Sequence, residues 1–517
     1  MAQYVISQHH NTSPWQIVLS LFKLQPKPTV ASSATLKETL DRYWRTQVSL
    51  VILVILQILR LPYRIIGTSL ELLLNTLSAN GGFFRLVYLL ISGKPIRNAS
   101  DDPSRYYSLI GHLDWRTTLD RDLAVEDAGR STVYRTISKT LFPETKRGPL
   151  LMAELCVMSS KLAYENAEVI ERIVKAEWKM DFVGQYDCWN EGQRRKSTHV
   201  FIFTDRAEDA NVVVVAFRGT EPFNTYNWST DLDFSWYELP VLGRVHVGFL
   251  EALGLGDRND LETFVQVNTK MSDPQKIGPG ESFSGLSKDV IADEEKLIAF
   301  DVVTTKIKEI LQSHKNAKLY ITGHSLGGAL ACLYPALLFC KKEDQVTDRL
   351  DGVYTFGQPR VGSKEFSRFM DEKLCAGPRS RYFRVVYSND LVPRVPFDDH
   401  VSQFKHSGLC WYFDSFYSGR IIYEEPNKNY FSLLYVLPME LYAIWELIFS
   451  FFIAKIHGNS YQESGSSLLF RVSGLLFPGV AAHSPVNYVN AVRLGIQARG
   501  RSHSSLNQSI ALQGIMN

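Results

Sequence analysis

Apolar residues are spread unevenly along the 517 positions of this chain, and their pattern predicts most of its elements. Asn211 to Phe217 is a nearly continuous Val-rich run, as expected of a strand buried on both faces of a parallel sheet. Leu319-Tyr320-Ile321 and the Tyr-, Phe- and Val-rich run from Arg381 to Ser388 read as further strands. Ala329 to Phe339 is a largely helix-compatible apolar run, and Glu294 to Ser313 reads as a helix. Another helix start is marked by Ser484 at the cap and Pro485 at the first helical position, ahead of Val486 to Val492. Between 254 and 292, Asp, Gly, Ser, Pro and Lys are frequent, which predicts a flexible surface insertion. The tail 499–517, opening Arg499-Gly500-Arg501-Ser502, is expected to be disordered.

The first 145 residues follow another pattern and read as a separate region. Val48 to Leu59 is apolar apart from Ser49 and Gln57, Ile65 to Leu77 carries Glu71, and Phe83 to Ile91 carries Arg85. Twelve helical residues span about 18 Å, well short of the roughly 30 Å of a bilayer core. Arg60, Pro62 and Arg64 then interrupt the first run, and Lys37, Arg42 and Arg45 precede it. Short apolar segments bracketed by cations suit a single lipid leaflet, with the charges at the headgroups. The competing reading is a set of core helices in a larger soluble domain. A second dense apolar run, Tyr430 to Lys455, holds Trp445, Phe449 and Phe452 and only Glu440, Glu446 and Lys455 as charges. It centres an insertion, 419–470, expected to be a lid or a membrane-docking helix; periodicity alone does not separate this from a buried helix.

Charge is nearly balanced, 56 basic against 54 acidic residues, which argues against a nucleic-acid partner. Cys156, Cys188, Cys332, Cys340, Cys375 and Cys410 show no Cys-x-x-Cys spacing and read as free thiols in a reducing compartment. His9, His10 and Asn11 fall where a secretory signal would need an apolar core. There is no internal repeat, no phosphate-cradling Gly loop and no metal-ligand spacing; His199, His246 and His324 read as core histidines.

The chemistry is announced by Gly323-His324-Ser325-Leu326-Gly327, directly after the predicted strand at Leu319-Tyr320-Ile321. Gly-x-Ser-x-Gly between strand and helix is a nucleophile elbow: the chain turns sharply, one hydroxyl is pushed into the open, and the residues two before and two after must be small. A serine nucleophile needs a base and an orienting acid, which in this arrangement follow in the order Ser, Asp/Glu, His. The strand Arg381 to Ser388 ends in Asn389-Asp390-Leu391-Val392-Pro393, so Asp390 stands where an acid is expected; Asp398 and Asp399 are the alternatives. For the base, His483 lies on the loop before the helix that starts at Pro485; His406, His400, His457 and His503 are the competitors. An oxyanion needs two donors. Leu326 supplies a backbone N–H, and Thr220, after Arg218-Gly219 at the end of the Val-rich strand, supplies the second.

Taken in order, Phe217-Arg218-Gly219-Thr220, Val245-His246-Val247-Gly248-Phe249, Gly323-His324-Ser325-Leu326-Gly327-Gly328, Asn389-Asp390-x-Val392-Pro393 and His483 resemble the class 3 lipase family, the fungal-lipase-like α/β-hydrolases. The resemblance covers roughly residues 146–498. It implies an α/β-hydrolase fold with a mostly parallel central sheet, to which the apolar N-terminal region adds a helical, lipid-associating extension. It also implies Ser325 as nucleophile, Asp390 as acid, His483 as base, and Thr220 with Leu326 as the oxyanion pair. The long N-terminal region, the two insertions and Met158 to Asn166 ahead of the core are similar to the plant oil-body triacylglycerol lipases within that family.

The expected activity is ester hydrolysis of triacylglycerol at a lipid-droplet monolayer or membrane facing the cytosol, without a cofactor or metal. A phospholipase A1 or galactolipase would use the same groups. A catalytically silent lipid-droplet scaffold and a soluble esterase are the remaining alternatives.

Overall fold

The structure is a computed structural model. It describes residues 4–5, 58, 61–119, 148–221, 235–272, 296–377, 379–396, 398, 403–428, 433–457, 461, 463–475 and 478–501. Thirteen strands occur among these: β1 Tyr4–Val5, β2 Asp181–Asn190, β3 Arg195–Thr204, β4 Val212–Phe217, β5 Trp236–Leu239, β6 Gly243–His246, β7 Lys318–His324, β8 Leu350–Phe356, β9 Gly362–Ser363, β10 Tyr382–Tyr387, β11 Phe404–Lys405, β12 Cys410–Phe413 and β13 Gly419–Ile422. The helices that matter below are α1 over 61–79, α2 Phe83–Ile91, α3 Leu109–Leu113, α4 Gly148–Leu162, α5 Leu261–Ser272, α6 Ala299–Ser313, α7 Leu326–Cys340, α8 Leu433–His457, α9 Gly465–Ser473 and α10 Pro485–Arg501.

Eight strands form the central sheet in the order β13-β12-β10-β8-β7-β4-β3-β2. The five middle strands, β4 to β12, run parallel, and the antiparallel pairs lie at the two sides. This is the α/β-hydrolase arrangement expected from the motifs. All six residues of β4 are buried, as the Val-rich run predicted. Their alternation sorts them between two cores. Val213, Val215 and Phe217 join Leu319 and Ile321 under α6 and α7. Val212, Val214 and Ala216 join Tyr320 under α4 and α10. Each of the Val, Leu, Ile and Phe side chains among them contributes about 1.5–3 kcal/mol of transfer free energy, so a strand buried on both sides is held rigidly. That rigidity positions the loops at its carboxyl end.

Several expectations need correction. Part of the insertion 254–292 is packed rather than loose: α5 places Phe264, Val267 and Met271 in the core, and Phe264 stacks on Tyr237 at 4.9 Å. Apolar Phe264, Val267 and Met271 recur at three- and four-residue spacing, a helical period that the polar composition around them obscured. Residues 273–292 lie outside the described residues. The helix expected from Glu294 begins at Ala299. At the far end α10 continues to Arg501, into the stretch expected to be disordered; 502–517 are outside the description.

The N-terminal region does not stand apart. Tyr4–Val5 pairs with β5 in a second, five-stranded sheet. Ile110 and Leu113 of α3 pack on Tyr164 and Val486. Arg116 forks onto Asp114 and donates to Asn490 of α10 at 2.6 Å. Lys161 of α4 donates to the Asp114 carbonyl at 2.9 Å. Val48 to Leu59 lies outside the described residues except for Ile58. The other two apolar runs are α1 and α2, and α1 is reversed in polarity. Asn75, 2% exposed, donates to the Tyr107 carbonyl and accepts from the Tyr107 N–H. Asn80 makes the same paired contact with Arg97. Leu61, Ile65, Ile66, Leu72 and Leu73 are exposed on α1, and Phe83, Phe84, Tyr88, Leu90 and Ile91 on α2, with Phe84 87% exposed.

Candidate active site

Ser325 sits between the last residue of β7 and the first of α7, with φ 59° and ψ −131°. A non-glycine residue at positive φ is held there only by its surroundings. The two glycines of the motif are required by space: a Cβ on Gly323 would meet the Gly327 carbonyl, and one on Gly327 would meet the Phe217 carbonyl. The same closeness brings the end of β4, with Arg218 and Gly219, against the start of α7.

The structure brings Ser325, His483 and Asp390 together, although 158 and 93 residues separate successive partners. His483 Nε2 lies 2.8 Å from Ser325 Oγ, and His483 Nδ1 lies 2.7 Å from Asp390 Oδ2. All three are buried. Asp390 Oδ1 accepts the Val392 N–H at 2.9 Å, and Oδ2 also accepts the Tyr488 hydroxyl. Three neighbours thus fix the orientation of the Asp390 carboxylate. Asp390 comes from the loop after β10, and His483 from the loop before α10.

The competing candidates are placed elsewhere. The His406 side chain is 5% exposed and lies 2.7 Å through Nε2 from the Pro393 carbonyl, its pKa driven well below the usual histidine value by desolvation and by Arg384. Asp398 pairs with Lys405 at 3.0 Å and Lys428 at 2.8 Å. Asp399, His400 and His503 lie outside the described residues, as does the side chain of His457. Of the oxyanion candidates, Thr220 is buried three residues beyond β4, and Leu326 opens α7. Backbone N–H groups in the first turn of a helix have no acceptor within it and carry the positive end of its dipole.

Three contributors were not anticipated. His324 is a satisfied core histidine, as expected, but its ring lies 4.5 Å from that of His483, tilted by 31°. Its Nε2 donates to the His483 carbonyl at 3.0 Å, and its Nδ1 accepts from the Tyr164 hydroxyl at 2.8 Å. Burial drives its pKa well down, so it is the neutral tautomer with both nitrogens satisfied. Tyr164 also closes against Gly219, where a Cβ would strike its hydroxyl and the His324 carbonyl. Tyr488 is the third. Its signal was available in the sequence: five residues after His483, on the helix that follows it, it can reach back to Asp390.

Tyr164 also borders a cavity of about 710 Å³ whose lining includes the charged residues Glu71, Glu165, Arg218 and Glu221. None of Ser325, Asp390 and His483 lines it, and its charges do not suit an acyl chain.

The arrangement can activate a hydroxyl for attack on a carbonyl. Comparison with known proteins agrees in kind. The family described as Lipase (class 3) matches residues 214–400. The triacylglycerol lipase OBL1 of Nicotiana tabacum is 41% identical over 502 residues, spanning 90% of this chain and 86% of that protein. OBL1 of Ricinus communis is 42% identical over 493 residues, spanning 93% of this chain and 91% of that protein. OBL1 of Arabidopsis thaliana is 42% identical over 459 residues, spanning 89% and 86%. The chain therefore belongs to the class 3 lipase family.

Proposed function

We propose that this chain is a serine-esterase lipase that hydrolyses triacylglycerol at the surface of lipid droplets and releases free fatty acids. The observation that carries the chemistry is the chain of hydrogen bonds from Ser325 through His483 to Asp390, set on the sharp strand-to-helix turn of a nucleophile elbow. In this reading His483 takes the Ser325 proton as the hydroxyl attacks the ester carbonyl. Asp390 holds the imidazole in its productive tautomer and stabilises the cation. The N–H groups of Thr220 and Leu326 receive the oxyanion. The diacylglycerol leaves with the proton returned by His483, and water then releases the acid.

Triacylglycerol is preferred because the OBL1 relatives carry that activity in their names and match nearly the whole chain. The lipid-droplet setting rests on α1, α2 and α8, which turn apolar residues outward. Among the described residues no helix is long and apolar enough to cross a membrane. Apolar faces on such helices suit a monolayer over oil, on its cytosolic side.

The test is turnover of purified protein on emulsified triacylglycerol, phospholipid and galactolipid side by side, with Ser325→Ala as control. Triacylglycerol should be cleaved fastest and the variant should be inert. Preference for either polar lipid would replace the substrate, and activity in the folded variant would remove the mechanism.

A further inference from the structure

Helix α8 has its polarity reversed as α1 does, but its inner face is placed differently. Leu437, Leu441, Ile444, Ile448, Phe451 and Phe452 are exposed, while Met439, Ser450 and Ile453 are buried. Glu446 falls on the inner stripe, seven residues from Met439 and from Ile453, with a side chain 10% exposed. A helix that served only as packing would put an aliphatic residue there, since a buried carboxylate has a desolvation penalty of several kcal/mol. Glu446 instead lies beside Ser415 and Ser388, whose hydroxyls are 3.0 Å apart and act against the burial that disfavours its charge. Ser388 directly follows β10, has a φ of 42°, and stands two residues before Asp390.

The second arm starts from Arg471 of α9, 3.6 Å from Glu446 and 2.7 Å from Glu463. Arg471 donates to Asn487 Oδ1 at 2.6 Å, and Asn487 Nδ2 donates to the carbonyls of Ala481 at 3.0 Å and Ala482 at 3.4 Å. His483 is the next residue. One buried polar network thus ties α8 to the loop that carries the acid and to the loop that carries the base. Such networks favour a single arrangement over its near neighbours, because a displaced member loses its partners in a low-dielectric interior.

We propose that Glu446 and Arg471 are positioning residues which hold the Asp390 and His483 loops in register, and that they transmit contact between lipid and the outer face of α8 to the catalytic groups. The proposal rests on the lipid-surface reading given above. It makes interfacial stimulation a property of the insertion between acid and base, carried by polar contacts beneath the helix.

The probe is hexadecane droplets coated with phosphatidylcholine, which offer a surface and no triacylglycerol. Two quantities are read on the full chain: adsorption by flotation, and the rate at which a fluorophosphonate labels Ser325. In the native protein droplets should accelerate labelling. Glu446→Leu and Arg471→Met should float with the droplets as before, yet lose the acceleration. Their kcat on a short soluble ester should fall by roughly ten- to a hundredfold, the scale of a sub-ångström to one-ångström displacement of a catalytic group. KM should stay within about twofold, because binding is not what was removed. Glu446→Gln keeps a polar group of the same shape against both serines and should label almost as the native protein does, which separates positioning from a failure to fold. Native-like acceleration in Glu446→Leu overturns the proposal. So does an absence of acceleration in a native protein that floats. A native protein that does not float removes the lipid-surface reading itself, and that outcome is visible before any labelling is measured.

Discussion

Ser325 holds a positive φ that serine disfavours, and replacing it separates chemistry from conformation. Ser325→Ala should fold and hydrolyse nothing. Ser325→Gly should also be inert but should unfold at higher urea. Relief of the turn returns about 1–3 kcal/mol, against about 0.5–1 kcal/mol for the extra freedom of glycine in the unfolded chain. A Ser325→Gly variant less stable than Ser325→Ala would mean that the elbow is not strained. Glu71 offers a test in pH. Burial lifts its carboxyl to about 7, with Glu165 and Glu221 adding to the shift and the Leu109 N–H opposing it. Arg64, Arg218 and His199 line the same cavity, Arg218 being paired with Glu221 and His199 with Asp187. A carboxyl raised in the folded state stabilises it fully below 4.5, and that contribution is lost as pH rises through about 7. Glu71→Gln should therefore melt with the native protein near pH 4.5 and above it at pH 8. A constant gap across that range would exclude Glu71 as the titrating group.

Helix α8 shows what an element's sequence does and does not tell. Its apolar density was legible in the sequence, but whether the residues face lipid or core was not, because burial on either side uses the same residues. The structure divides them. Trp445 is exposed, yet it stacks on Phe449 at 5.4 Å, and Phe449 is half-buried against Phe416 and the core. Of the three aromatic residues singled out in the sequence, Phe452 is the one free of such packing among the described contacts, so the outer face is better tested with Leu441, Ile448 and Phe452. Replacing all three by Ser should weaken activity on emulsified long-chain ester severalfold and leave a short soluble ester within about twofold. Equal loss on both would make α8 a core helix. Ser325, Asp390 and His483, which the structure brings together, were legible because each is marked by local backbone chemistry: glycines, a strand end, a Ser-Pro helix start. His324 and Tyr164 were not, since their roles come from strands and helices far apart in sequence meeting at one point.

At the scale of the molecule, a boundary at 145 is readable from composition but not from contacts. Asp114 is buried with Arg116 and Lys161, and Lys161 is pushed down to about 8 by that burial despite Asp114 beside it. Glu165 accepts from Ser108 N at 2.7 Å and from its hydroxyl at 2.8 Å. Trp178 donates to the Thr117 carbonyl and Arg493 to that of Thr118. Removing one partner of such a buried pair costs about 3–5 kcal/mol, a large share of a domain's stability of about 5–15 kcal/mol. Residues 146–517 alone should consequently fail to give a cooperative melt, while 97–517, which keeps the 99–118 strap, should give one. A sharp transition in the shorter chain would show that the strap is dispensable. Contacts of this kind link polar residues of ordinary frequency, so nothing in the linear pattern marks them.

The outward-facing apolar side chains of α1 and α2 have a practical consequence. In plain buffer, copies of this protein have every reason to cover those surfaces with one another. Its apparent mass on a sizing column should then depend on detergent. Specific activity measured without surfactant would report the fraction of molecules left unclumped, and comparisons between preparations would track the amphiphile carried through purification more closely than the enzyme itself.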